Sequence, residues 1–170
     1  HELAHIIMAI IMGIDIAEIE ILPFGGQAKI EGLLGLEPER EIYVALAGPV
    51  ISIMTAALVY LITARYPGNY HLYFVKVSLL LGLFNLLPAL PLDGGRVIRA
   101  IGAKKIGYRK ATQKAILMGK LISVMIVGYG IYITFAKFAG ANFIFIGIFL
   151  FWAANREGAF MEYYYIRYLL

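Results

Sequence analysis

Four stretches of the chain are apolar and nearly uncharged over about the 20 residues that a bilayer-crossing helix needs. Ile42 to Ala64 carries no charge. Leu72 to Leu92 carries only Lys76 near its start, and Ala115 to Ala136 carries Lys120 close enough to one end for its ammonium to snorkel. Phe138 to Ala154 is shorter and lies between Lys137 and Arg156. The link between the last two is so brief that they predict a tight helical hairpin. A fifth apolar stretch, His1 to Ile14, has helical character but is too short to cross. It begins on a histidine, without methionine or a basic leader. We therefore read it as the second half of a spanning helix and the chain as a fragment, at this end and at the other.

Between His1–Ile14 and Ile42–Ala64 the period changes. Ile16 to Leu22 and Gln27 to Glu31 lean toward alternation and are rich in isoleucine, and Pro23-Phe24-Gly25-Gly26 between them is a turn signal. The pattern predicts a β-hairpin over 16–31 at the end of the helices. Such a hairpin either offers a free edge to another extended chain or merely connects two helices. The C-terminal stretch 155–170 is aromatic and of mixed polarity, as at a membrane interface. Core packing, partner contact and headgroup contact remain open for it. The predicted fold is an all-α polytopic membrane protein. It is a single domain over 1–170, with about five transmembrane segments, the first truncated, and a small membrane-associated β-hairpin.

Composition sharpens this. Hydrophobic residues make up 61% of the 170, charged residues 15%, and the mean hydropathy is +0.79, whereas soluble domains are about one-quarter charged. A soluble globular enzyme, a disordered linker and a nucleic-acid-binding domain are excluded together. The net charge of +4 belongs instead to membrane orientation. Arg96, Arg99, Lys104, Lys105, Arg109, Lys110 and Lys114 fill the predicted loop between the apolar stretches 72–92 and 115–136. Lys29, Arg40, Arg156 and Arg167 alternate onto the same side, against Arg65, Lys76 and Lys137 on the other. That asymmetry places the 96–114 segment in the cytoplasm, where anchoring to lipid headgroups would explain it. Cysteine is absent, which removes disulfides and thiolate metal sites.

The acidic residues narrow the chemistry. Nine of the eleven fall in the hairpin region or the tail, leaving Glu2 and Asp93 at membrane depth, where a carboxylate costs about 2.5–3.5 kcal/mol and implies function. His1-Glu2-Leu3-Ala4-His5 is H-E-x-x-H. On a helix, positions i and i+4 share a face, so both imidazoles can reach one Zn²⁺, while the glutamate beside them can accept a proton from an attacking water. Catalytic zinc takes three protein ligands, and Asp93 is the remaining intramembrane carboxylate. Zn²⁺ with Asp93 and Glu2 sums to zero charge, which suits a bilayer. The depths agree as well. His1 lies roughly 20 Å along a helix from Asp15, and Asp93 about 16 Å from Lys104 if that segment is helical. In Asn85-Leu86-Leu87-Pro88-Ala89-Leu90-Pro91-Leu92-Asp93-Gly94-Gly95-Arg96 the prolines and glycines predict a break in the helix, which needs a protein-lined or watery surround. Asn85 could face that surround or hydrogen-bond another helix. Ala47-Gly48-Pro49 is a second kink and by itself a packing feature.

H-E-L-A-H, L-P-F-G-G, A-G-P and N-L-L-P-A-L-P-L-D-G-G-R, in this order, resemble the site-2 protease family of zinc intramembrane metalloproteases. L-P-F-G-G and P-L-D-G-G most resemble its bacterial stage IV sporulation protein FB branch, and the tail from Asn155 is similar too. The resemblance implies a zinc-dependent intramembrane endopeptidase in the bacterial cell membrane, reached from the cytoplasmic side. It implies one Zn²⁺ held by His1, His5 and Asp93, with Glu2 as the base and Asn85 meeting the substrate or the developing oxyanion. Phe24, Gly25 and Gly26 fall in a membrane-embedded β element that pairs with substrate. The implied partners are the bilayer, a membrane-embedded or membrane-associated substrate such as a pro-sigma factor, and inhibitory membrane subunits, with no nucleic acid. Many relatives carry asparagine where this chain has Ser52, so the resemblance gives Ser52 no role. A CBS domain follows the last helix in the sporulation branch and is not reached by Leu170. The alternative reading is a metal-binding membrane protein without proteolysis, an ion carrier or regulatory scaffold. It predicts ionisable groups along a path rather than gathered at one depth.

Overall fold

The computed structural model describes residues 1–14, 16–22, 25–30, 37–65, 69–137 and 140–169. Side chains are described outside 16–22, 25–30, 69, 137 and 164–169. The elements run α1 (Glu2–Ile11), β1 (Ile16–Leu22), β2 (Gly25–Ile30), α2 (Pro38–Thr63), α3 (Asn69–Asn85), α4 (Asp93–Ile106), α5 (Tyr108–Lys137) and α6 (Ala141–Leu169). They group into two compact units, His1–Leu87 and Pro88–Leu170.

In the first unit α2 packs against both α1 and α3. Helix α1 ends where Gly13 adopts φ 67°, a left-handed conformation that costs a residue without Cβ little. Ala9, Ile14 and Val44 join α1 to α2, flanked by Met8 and Met12. Helix α3 approaches α2 through Gly82, whose absent Cβ would lie 3.0 Å from the Pro49 carbonyl oxygen. Small residues at such crossings let backbones pack where no hydrophobic force separates helix from lipid. Strands β1 and β2 pair antiparallel beside α1, from Ile16 opposite Ile30 to Leu22 opposite Gly25, with an irregularity between Ile16 and Glu18. The second strand thus begins at Gly25 rather than Gln27. Gly25 and Gly26 belong to the ladder, while Pro23 and Phe24 lie outside the described residues.

In the second unit α5 packs against α4 and α6. Gly102 on α4 leaves room for Ala111 on α5, whose Cβ would be 3.2 Å from one added at the glycine. Gly130 and Gly147 do the same between α5 and α6 against Ile144 and Val127. Arg99, buried on α4, lies with its guanidinium carbon 5.1 Å from the centre of the Tyr108 ring.

Three expected boundaries move. The apolar stretch 72–92 is not one helix. Helix α3 stops at Asn85, residues 86–92 form turns with a cis Leu90–Pro91 bond, and α4 starts at Asp93. Pro88 and Pro91 cannot donate helix hydrogen bonds, so apolarity continues where helix cannot. The basic segment 96–114 is not a loop but α4 and the first turns of α5, separated at Gly107 with φ 79°. Lys104, Lys105, Arg109, Lys110 and Lys114 are exposed on these helices, since charge marks a wet face rather than a lack of structure. The 155–170 tail continues α6 to Leu169.

The outer surface is that of a membrane protein. Phe135 is 84% exposed, Phe145 74% and Leu61 73%, while alanines, glycines and serines fill the interior. Three helices, Pro38–Thr63, Tyr108–Ala136 and Ala141–Tyr163, are long and apolar enough to cross a bilayer among the described residues. Helices α1 and α3, of 10 and 17 residues, are shorter.

The 86–92 turn rests on two glycines. A Cβ on Gly95 would meet the Ala89 carbonyl oxygen at 2.6 Å, and one on Gly119 would overlap the Leu90 carbonyl oxygen. Gly119→Val is therefore expected to destabilise the protein by about 1–3 kcal/mol, the usual cost of overpacking, with thermal unfolding in detergent micelles as the measurement.

Candidate metal centre

His1 caps α1 and His5 lies one turn along it, so the two rings project from one face, as four-residue spacing on a helix requires. Their centroids are 5.0 Å apart with planes at 77°, and a nitrogen of one lies within 4.8 Å of a nitrogen of the other. Both are half-buried, and Glu2 between them is exposed.

Helix α2 holds both rings. His5 Nδ1 donates to the Val44 carbonyl oxygen at 2.7 Å, and His1 Nδ1 lies 2.8 Å from Ser52 Oγ. A carbonyl carries two lone pairs, so Val44 can accept from the histidine and from its own helix. Val44, Gly48 and Ser52 are four residues apart, one stripe along α2. Gly48 sits between the two anchoring bonds. A Cβ there would overlap His5 Nε2 and lie 2.8 Å from His1 Nε2. The Nε2 atoms of both rings thus converge on a space that exists because residue 48 has no side chain.

This arrangement fits a divalent metal of zinc's kind. A neutral imidazole ligates through one nitrogen while the other carries hydrogen and is held by a neighbouring acceptor. For His5 the choice is forced: a carbonyl only accepts, so Nδ1 carries the hydrogen and Nε2 keeps the lone pair.

Asp93 belongs to the second unit. It is buried as the first residue of α4, where the positive end of the helix dipole favours a carboxylate. Leu92 N–H donates to the Ala89 carbonyl oxygen at 2.8 Å, and the N–H groups of Gly95 and Arg96 donate to the Leu92 oxygen, closing the turn into the helix. Gly95 and Gly119 admit that turn, so its backbone packs closely against α4 and α5. Asn85, the last residue of α3, donates from Nδ2 to the Leu81 carbonyl oxygen of its own helix at 3.0 Å. That engages one of its two amide hydrogens. Phe24 lies outside the described residues.

Gly48, Ser52 and the Val44 carbonyl are the residues that sequence reasoning missed. Ala47-Gly48-Pro49 reads as a kink, and a backbone carbonyl has no signature of its own. The spacing of Gly48 and Ser52 on one face of an apolar helix was the available signal.

Paired, anchored imidazoles on a short apolar helix suit a membrane metalloprotein, and the comparisons with known proteins narrow the class. The family model described as peptidase family M50 matches residues 1–70 and 67–127. A zinc metalloprotease of Methanocaldococcus jannaschii is 32% identical over 95% of this chain and 47% of its own length. Stage IV sporulation protein FB of Bacillus subtilis is 27% identical over all of this chain and 59% of its own length. Among solved structures, the site-2 protease from Methanocaldococcus jannaschii superposes with a TM-score of 0.76 at 31% identity, over 92% of this chain and 71% of that one. The chain belongs to peptidase family M50. It is an integral membrane protein with the site-2 protease fold, and it spans about half the length of the curated relatives it matches.

Gly48→Ala places a methyl group against both Nε2 atoms. The variant should keep its helical circular dichroism and lose Co²⁺ uptake at the paired imidazoles, read from the visible absorption of the cobalt-substituted protein.

Proposed function

We propose that the protein is a zinc-dependent endopeptidase that cuts a peptide bond within or next to a membrane segment of its substrate. The observation that carries the reading is the pair of H-E-x-x-H imidazoles held through Nδ1 with both Nε2 atoms converging over Gly48. Membership of peptidase family M50 supports it, as does the name zinc metalloprotease borne by a relative.

His1, His5 and Asp93 would hold the metal. The first two are supported by their anchored rings. Asp93 is supported by its burial at the start of α4 and by charge, since with Glu2 it neutralises a divalent ion. Zinc, when bound, supplies Lewis acidity that polarises the scissile carbonyl and makes water nucleophilic at neutral pH. Glu2, exposed between the histidines, accepts the proton of the attacking water and passes it to the leaving amine. The second amide hydrogen of Asn85 would donate to the substrate backbone or to the oxygen on which charge develops.

A peptide bond inside a helix is shielded and hydrogen-bonded, so the substrate must unwind. The edge of the β1–β2 hairpin, where Gly25 and Gly26 stand and Phe24 precedes them in sequence, would take up the freed backbone groups as an added strand. The substrate class is a membrane-embedded or membrane-associated precursor, a pro-sigma factor by resemblance to the sporulation branch, with inhibitory membrane subunits as regulators. Helices α1 and α3 would complete five membrane segments, with the site reached from the cytoplasm of a bacterial cell.

Glu2→Gln should retain zinc and lower cleavage of a co-expressed substrate by about 10²–10⁴-fold, the contribution of a positioned general base. Asp93→Ala should lose both. A Glu2→Gln protein that cleaves normally removes Glu2 from the mechanism, and zinc-loaded protein that moves metal across vesicles without cutting peptide favours an ion carrier. Orientation has its own test, because the chain contains no cysteine. Lys110→Cys, exposed near the start of α5, should react with a membrane-impermeant maleimide in inverted vesicles and not in intact cells.

A further inference from the structure

The two histidines are anchored by partners of different chemistry. His5 Nδ1 meets a carbonyl, which dictates where its hydrogen lies, whereas His1 Nδ1 meets the hydroxyl of Ser52, which donates or accepts. Where the hydroxyl donates, Nε2 of His1 carries the hydrogen and cannot ligate. Where the hydroxyl accepts, Nε2 keeps its lone pair beside that of His5.

Ser52 is not an ordinary hydroxyl of a membrane helix. Such groups usually bond back to the preceding turn, as Thr63 does to the Val59 carbonyl, Thr112 to Tyr108, Ser123 to Lys120 and Thr134 to Gly130. Ser52 instead reaches across from α2 to α1. Only 6% exposed, it is backed by α3, where a Cβ on Gly82 would come 3.4 Å from its own Cβ. Its position is thus set from behind while its oxygen faces the ring.

We propose that Ser52 is the positioning residue of the metal centre. It accepts the Nδ1 hydrogen of His1, which turns the ring and presents its Nε2 lone pair over Gly48. This rests on the reading of His1 and His5 as metal ligands and goes beyond it. A serine does here, from the neighbouring helix, what a backbone carbonyl does for His5.

Because the test must separate the hydroxyl from the space it fills, it compares Ser52→Thr with Ser52→Val, which share a shape and differ in the hydroxyl, alongside Ser52→Ala. The full chain in detergent is titrated with zinc against a chromophoric chelator, and the visible spectrum of its Co²⁺ form is recorded. Ser52→Ala and Ser52→Val should bind zinc about 10- to 100-fold more weakly, as when a histidine ligand loses its hydrogen-bond partner, with a shifted cobalt spectrum. Ser52→Thr should stay close to the unsubstituted protein. If the bulkier pair fails to fold, Ser52→Ala, which removes only the oxygen, decides alone. The proposal is overturned if Ser52→Ala keeps full affinity and an unchanged cobalt spectrum, or if Ser52→Thr is as weak as Ser52→Val. An unsubstituted protein that takes up neither metal, or a His5→Ala variant that binds zinc normally, sinks the ligand assignment itself and the role of Ser52 with it.

Discussion

The approach of α1 to α2 at Gly48 is the constraint on which the candidate metal centre depends. Two imidazoles on a ten-residue helix would each turn through several rotamers, and a mobile ligand pair binds metal poorly. Each ring is tied at one nitrogen to α2, at the Val44 carbonyl and at the Ser52 hydroxyl, and the other nitrogen of each meets the bare backbone of Gly48. One face of α2, read at four-residue intervals, therefore supplies an acceptor, a space and a hydroxyl. Each hydrogen bond is worth only about 0.5–1.5 kcal/mol to folding. Its larger effect is to decide which nitrogen of each ring faces the space.

The second unit uses the same device for a different purpose. Two prolines end the run of helical hydrogen bonding, and a broken backbone at membrane depth has to be satisfied by protein or by water in a cavity. The turn closes on its own hydrogen bonds and nests against Gly95 and Gly119, which admit the Ala89 and Leu90 carbonyls. That turn fixes where α4 begins, with Asp93 as its first residue. Glycine acts in both units by omission: a backbone or a ring occupies the space where a side chain would be.

Around these centres the chain is built for lipid. Its large side chains face outward and its small ones inward, because hydrocarbon outside removes any reward for burying leucine and leaves close backbone packing as the cohesive term. Charge gathers where the helices meet water, on α4 and the start of α5, and those residues are helical all the same. Hydropathy reports which side chains lie in lipid and says nothing of whether the backbone coils. For that reason the stretch 72–92 reads as one span and is a helix, a turn and the approach to another.

Much of the chemistry was legible along the chain. H-E-x-x-H needs only a helix to bring its rings together, and a buried aspartate between helix-breaking residues draws notice because a membrane tolerates so few charges. The class of fold followed from apolar length and the hairpin from alternation, since both are local properties of side chains. What belonged to the tertiary structure was everything that required a second element: the Val44 carbonyl, which no side chain announces, the space over Gly48 and the hydroxyl of Ser52 turned toward His1. Sequence order states which groups a helix carries. Which of their atoms face one another depends on how closely two helices pack, and that distance is set by side chains far apart in the chain.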